Sequence, residues 1–322
     1  MLPRGTQWIS ADATMTLTNR QTDAAAASLD ETDQKLIPRW HFAMLNDVER
    51  NDAFSQAVRR AVVPGMCVLD VGSGSGLLSM MATQAGANTV ISCESVEPVA
   101  AVAQRIIESN GFHERITIVP KVSFDLIVGR DLPRRADILI TETVDCGLVG
   151  EGLFRIIRHA RDHLLHEQSQ IIPRRASIFC ALLESSAIHK NNFASDASGF
   201  DVSLFNRFST QGYFPVRLWT WEHRFLSEKV PALSYDFLVD PLLEREVRFP
   251  VRVKITGTLH GILFWFELDL GSGIRLSNEP GNSQSHWMQA IQCFEKPCHV
   301  KEGSILTVKV HQGETNIDFE IE

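Results

Sequence analysis

From Cys67 to about Gln170 short apolar runs alternate with segments of helical period, and this rhythm limits the fold more than any other feature of the 322 residues. Cys67–Val71, Thr89–Cys93, Ile116–Val119 and Ala136–Thr141 read as buried strands. Gly76–Gln84, Val96–Ser109 and Gly152–Leu165 read as helices, the first stopped by Gly86 and the second by Asn110-Gly111. Strands separated by helical crossovers pair in parallel, with helices on both faces of the sheet. Such sheets bind ligands beyond the carboxyl ends of their strands. The first strand, Val68-Leu69-Asp70-Val71, runs into Gly72-Ser73-Gly74-Ser75-Gly76 and then a helix. Glycines at that point admit a ligand close to the backbone and leave N–H groups at a helix start. Leu77 breaks the G-x-G-x-x-G dinucleotide template, and no G-K-[ST] marks a phosphate loop.

After Pro173 the period changes to two. Val251-Arg252-Val253-Lys254-Ile255 and Ile317-Asp318-Phe319-Glu320-Ile321 alternate as half-buried antiparallel strands do, with Leu263–Leu268, Ile291–Phe294 and Ile305–Val310 as companions. The fold class expected is α/β plus β: a Rossmann-like domain over residues 35–172, then an antiparallel β-barrel domain over 173–322. Residues 184–229, rich in Ser, Asn and Phe, read as an excursion from the β domain. Upstream, a helical signal begins near Ile37 and carries Trp40, Met44, Leu45 and Val48, while residues 1–34 lack periodicity and read as a flexible leader.

Composition narrows the function. No apolar run approaches the ~18 residues of a membrane span, and the N-terminus lacks the pattern of a secretion signal. Cys67, Cys93, Cys146, Cys180, Cys293 and Cys298 include no CxxC pair, which points to reduced intracellular thiols and no zinc site; a cytoplasmic protein, also nuclear, is the expectation. A net charge of −8 argues against direct nucleic-acid binding and suits a cationic partner.

The fourth strand leads into Glu142-Thr143-Val144-Asp145-Cys146-Gly147-Leu148-Val149-Gly150-Glu151. On one helix, nine residues at ~100° each would set the two glutamates on opposite faces. Gly147, Gly150 and Gly152 permit a loop that folds back, so that both carboxylates converge. Converging carboxylates repel unless a cation sits between them, and a guanidinium is planar, permanently charged and rich in donors. Exposed loop acids are the plain reading of such a pair; the position past a parallel strand argues for a site instead.

The compact glycine loop, with Asp70 two residues before it, resembles the first motif of class I S-adenosylmethionine methyltransferases, and Glu94 ends the second strand where a ribose acid belongs. With the double-glutamate hairpin, the loop Ser285-His286-Trp287-Met288-Gln289, the segment His41–Arg50 and Gly199-Phe200-Asp201-Val202-Ser203, the chain resembles the protein arginine N-methyltransferases from about residue 37 to its end. The hairpin most resembles that of the ninth animal member, a symmetric-dimethylating (type II) enzyme of the cytoplasm acting on a splicing factor. Its tetratricopeptide repeats are expected to be lacking here.

The resemblance implies S-adenosylmethionine as cofactor, bound by Arg50, Asp70, Gly72, Gly74, Gly76, Glu94 and Ser123. It implies Glu142, Glu151 and His286 as catalytic residues, His286 steadied by an acid such as Asp47, and Met44 and Trp287 in the substrate pocket. Its substrate would be an arginine-containing protein, Arg-Gly-rich or a splicing factor, and residues 184–229 would form the dimerisation arm of a homodimer. Departures are the absence of the family's tyrosines ahead of His41, Ser123 in place of an adenine-binding glutamate, and Ser285 in place of threonine. Two rival readings stay open: a methyltransferase for another substrate, and a non-catalytic interaction protein of the same fold.

Overall fold

Strands covered by helices on both faces have no wet side, and the first strands of this chain are accordingly mostly apolar, with Asp70 of Cys67–Val71 a buried exception. The computed structural model describes residues 38–322, so the leader read at 1–34 lies outside the described residues. Two helices come first, α1 (Trp40–Leu45) and α2 (Val48–Ala61). Then follow β1 (Cys67–Val71), α3 (Leu77–Gln84), β2 (Thr89–Cys93), α4 (Glu97–Ser109), β3 (Ile116–Val119), β4 (Ala136–Thr141), α5 (Leu153–His159) and β5 (Leu165–Ile172). All five residues of β1 are buried. The strands pair in parallel in the order β3-β2-β1-β4-β5. The chain steps outward from β1 to β3, then returns to β4 on the other side, so the order reverses between β1 and β4. That crevice is where an open parallel sheet takes its ligand.

Two local readings change. The helical signal from Ile37 is two helices, because Asp47 leaves helical geometry (φ −77°, ψ 95°) and caps the second by accepting from the Arg50 N–H. Trp40, Leu45 and Val48 are exposed, so their spacing marks no core face; α2 buries Ala53, Phe54, Ala57 and Val58. The helix read as Gly152–Leu165 is α-helical only to His159 and continues as a π-helical turn, Ala160–Leu164.

The second half is antiparallel. In chain order come β6 (Arg175–Glu184), α6 (Ser186–His189), β7 (Asp196–Ala197), β8 (Phe200–Asp201), β9 (Phe214–Val216), β10 (Arg224–Phe225), β11 (Val230–Asp236), β12 (Arg245–Arg252), β13 (Gly257–Gly271), β14 (Ile274–Ser277), β15 (Gln289–Val300), β16 (Ile305–Gln312) and β17 (Ile317–Ile321). One sheet runs β10-β6-β13-β15-β9, with β11 beside β6 and β14 beside β13; a second runs β12-β16-β17. Among the described residues no strand pairing closes these sheets into a barrel. At one seam a side chain bridges them: the Gln292 amide on β15 donates to the Phe319 carbonyl (2.9 Å) and accepts from the Phe319 N–H (2.7 Å) on β17. Phe264, Phe266 and Phe319 fill the interior behind it.

Candidate active site

The glycine loop leaves β1 with Gly72, Gly74 and Gly76 all at positive φ (+83°, +51° and +78°), a region that residues with a Cβ rarely adopt. The N–H groups of Gly72 and Ser73 donate to the Cys93 carbonyl, each at 3.0 Å, which ties the loop to the end of β2. Glu94 follows, its carboxylate anchored by the N–H of Gly74 (3.0 Å) and the N–H of Val96 (3.0 Å). A carboxylate has about four acceptor positions, so both oxygens keep capacity for further donors. A Cβ on Gly76 would press on Ile107 at 3.0 Å, whereas one on Gly74 would meet only the methyl of Met44 at 4.0 Å. Gly74 therefore faces open space beside Met44.

Asp70 lies beneath this loop, fully buried. It accepts from Ser79 (2.6 Å) and Ser92 (3.0 Å) through one oxygen, and its other oxygen has no partner. Burial pushes its carboxyl up to about 6 in spite of those two hydroxyls. Ser123 is buried in a short 3₁₀ turn just past β3.

Across the crevice, α2 presents Arg50, whose Nη2 meets Glu142 Oε2 at 2.5 Å with both side chains almost fully buried. Arg50 Nη1 donates to Asn51 Oδ1 (2.8 Å), and its plane lies over the Phe54 ring at 5.2 Å. The nearest cation to Glu142 is thus the chain's own arginine, and only one carboxylate oxygen is taken by it. Glu151 is exposed by area at the hairpin's far end. Displacement of water, then the charges of Glu142 and Asp145, push its carboxyl up to about 7. The two glutamates are therefore near enough to feel each other.

The hairpin between them is held from the β half. Trp287, read as a pocket residue, is buried behind the hairpin, and its indole N–H donates to the Val144 carbonyl (3.0 Å). Asn278, fully buried, donates to the carbonyls of Cys146 (3.1 Å) and Met288 (2.7 Å) and accepts from the Phe266 N–H (2.8 Å). His286 donates through its backbone N–H and through Nδ1 to Asp47 Oδ2, each at 2.8 Å. Burial alone would raise the Asp47 carboxyl, but the His286 ring, the Arg50 N–H and the His286 N–H together hold it below the usual range.

Arg50, Glu142, Asp47 and His286 are joined by bonds on one side of the crevice, while Gly74, Glu94 and Met44 line the other. Three buried polar atoms here lack partners: Arg50 Nε, Asp70 Oδ1 and Ser73 Oγ. Unpaired donors and acceptors around an open glycine fit a ligand with its own amine, carboxylate and hydroxyls, such as S-adenosylmethionine. Sequence reasoning did not find Asn278, Asp145, Ser73 or Tyr213. Gly147 and Gly150 were the only hint that something bulky presses on the hairpin.

The model of the arginine methyltransferase oligomerization subdomain matches residues 174–322, and that of ribosomal protein L11 methyltransferase matches 54–149. An arginine N(omega)-methyltransferase of Streptomyces achromogenes subsp. streptozoticus is 43% identical, over 93% of this chain and 83% of that one. The Arabidopsis thaliana protein arginine N-methyltransferase 1.6 is 35% identical over 81% of this chain, but the match spans only 40% of its own length. The ninth members of mouse and human are 28% and 29% identical, so whole-chain identity does not favour the branch suggested by the hairpin. The chain's fold matches the Trypanosoma brucei PRMT1 enzyme–prozyme complex with AdoHcy at a TM-score of 0.75 and 23% identity, covering 88% of this chain and 92% of that one. Parallel sheet, antiparallel half and these relatives together make this chain a member of the arginine N-methyltransferase family.

Proposed function

We propose that this chain transfers the methyl group of S-adenosylmethionine to a guanidinium nitrogen of arginine. The observation that carries the reading is the buried Arg50–Glu142 pair with Glu151 beside it, at the switch point of the sheet and facing an open glycine. When bound, the cofactor supplies an electrophilic methyl group on a cationic sulfur. Gly72, Gly74 and Gly76 let it approach the backbone, Glu94 takes the ribose hydroxyls, and Ser123 takes the adenine amine. Arg50 Nε and Asp70 Oδ1, both without partners, suit its carboxylate and ammonium groups. Glu142 through its free oxygen, and Glu151 once ionised, hold the substrate guanidinium and orient one nitrogen. Asp47 and His286 tie α2 to the β half and keep Arg50 in place.

Arginine within a protein is the substrate class favoured by most relatives' names, and the hairpin's likeness to the ninth member supports a symmetric dimethyl product. A second reading, free arginine, is favoured by the Streptomyces achromogenes relative, whose name specifies arginine without a protein. Tritiated cofactor offered with an Arg-Gly peptide, its Lys replacement and free arginine separates these readings. Label in the Arg peptide alone supports protein methylation, and label only in free arginine supports the second reading. Glu151→Gln should abolish transfer while calorimetry still shows cofactor binding; wild-type turnover in that variant would sink the clamp. Fragment ions of the dimethylated product decide its symmetry.

The homodimer belongs to the same proposal. Residues 184–229 expose Phe200, Leu204, Phe205 and Phe208, each 69–80% accessible, on a segment within the oligomerization match. Such a cluster on a short excursion suits burial against a second copy.

A further inference from the structure

The hairpin carrying the two glutamates is braced from outside by a phenol that lies in none of the motifs supporting the family resemblance. Tyr213 is one of two tyrosines in the chain and stands immediately before β9, within the arm and just past its exposed Phe200–Phe208 stretch. Its hydroxyl donates to Asp145 Oδ2 at 2.7 Å, and Asp145 Oδ1 accepts from the Gly150 N–H at 2.9 Å. One carboxylate therefore joins the middle of the hairpin to its far end, next to Glu151. The Tyr213 ring meets Phe264 of β13 edge-on, with centroids 5.1 Å apart, which fixes it against the β half.

Contact is close enough to dictate sequence. A Cβ on Gly147 would come within 2.5 Å of the Tyr213 ring, and one on Gly150 would strike the Asp145 carboxyl group. Between them Leu148 takes φ +84°, a conformation that residues with a Cβ rarely adopt. A turn with such a residue at its centre holds its shape because its surroundings impose it. Burial first, then the Asp145 charge, push the Tyr213 hydroxyl well above its ordinary range, so it stays a donor.

We infer that Tyr213 and Asp145 are a positioning pair for methyl transfer: together they set the turn Asp145–Gly150 and thereby the placement of Glu151 relative to Glu142. Both act through the turn, Tyr213 by its bond to Asp145 and Asp145 by its bond to the Gly150 N–H. The inference rests on the reading of the two glutamates as a guanidinium clamp. The same phenol joins the arm to the site: Asn192 and Thr210 close the arm's base with two hydrogen bonds (2.9 and 2.8 Å), three residues before Tyr213.

The test uses the full chain with the Arg substrate that is labelled. Tyr213→Phe keeps the ring and removes the bond. It should lower kcat by about tenfold or more, because a displaced clamp group misaligns the reacting atoms. Cofactor affinity by calorimetry should stay within about twofold, since the glycine loop is untouched. Asp145→Asn should act in the same direction, and the double variant should be no worse than the poorer single, as for two residues acting as one unit. Wild-type kcat in Tyr213→Phe, or additive losses in the double variant, would overturn the inference. If Tyr213→Phe does not fold, Asp145→Asn decides alone on kcat. Glu151→Gln, run alongside, separates the two levels: full activity there removes the clamp, whereas a dead Glu151→Gln beside a fully active Tyr213→Phe removes only the pair.

Discussion

Glu151 is a carboxyl group whose proton decides whether the site can hold a cation. With its pKa near 7, it is largely protonated in mildly acidic solution and becomes a full partner for a guanidinium only above that point. The KM for the arginine substrate should therefore fall as pH rises through about 7, and calorimetric titration of the turnover-dead Glu151→Gln with that substrate should lack the same pH dependence. Folding responds with the opposite sign. A carboxyl raised from 4.5 to about 7 favours the native state most below 4.5, and that contribution is lost as pH rises through about 7. Glu142 differs because it is already paired. Glu142→Gln leaves the buried Arg50 without its anion, which should lower unfolding stability by about 3–5 kcal/mol in denaturant titrations besides stopping turnover. Glu142 and Glu151 were legible in the sequence because a parallel strand precedes them and Gly147, Gly150 and Gly152 let the loop between them fold back. Arg50's hold on Glu142 was not, since 92 residues separate the two and no spacing rule spans them.

Four of the five parallel strands were legible to the residue, because they are short, mostly apolar runs bounded by turn residues; β5 was not, since half of Leu165–Ile172 is polar and partly exposed and reads as no buried strand. The break at Asp47 was not, since Trp40, Leu45 and Val48 mimic a core stripe although they are exposed. Nor was the set of strands that surrounds the hairpin: β6 and β15 take part in a sheet whose order, β10-β6-β13-β15-β9, no local pattern encodes. The hairpin consequently depends on side chains from distant elements. Asn278 is the clearest case, with three bonds to backbone groups of the hairpin, β13 and the residue that precedes β15. Asn278→Ala should cost about 2–4 kcal/mol by chemical denaturation, because those buried groups would lose their partners together.

For the molecule as a whole, the arm is the feature that a single folded chain leaves unexplained. Replacing Phe205 and Phe208 by Glu should convert the proposed dimer to monomer in sedimentation experiments, while thermal melting of the single chain stays nearly unchanged because both rings are exposed. The net charge of −8 should also speed encounter with basic peptides, an effect that added salt weakens.

At the other end of the chain, the last strand is fastened unevenly. A ladder with β16 secures one flank, and the Gln292 amide is the bridge to β15 on the other. Releasing that flank breaks two bonds, where peeling β13 from its neighbours would break a long series. The C-terminal strand is thus moored on that flank by a single side chain, and its amide protons should trade with deuterium ahead of those in β13.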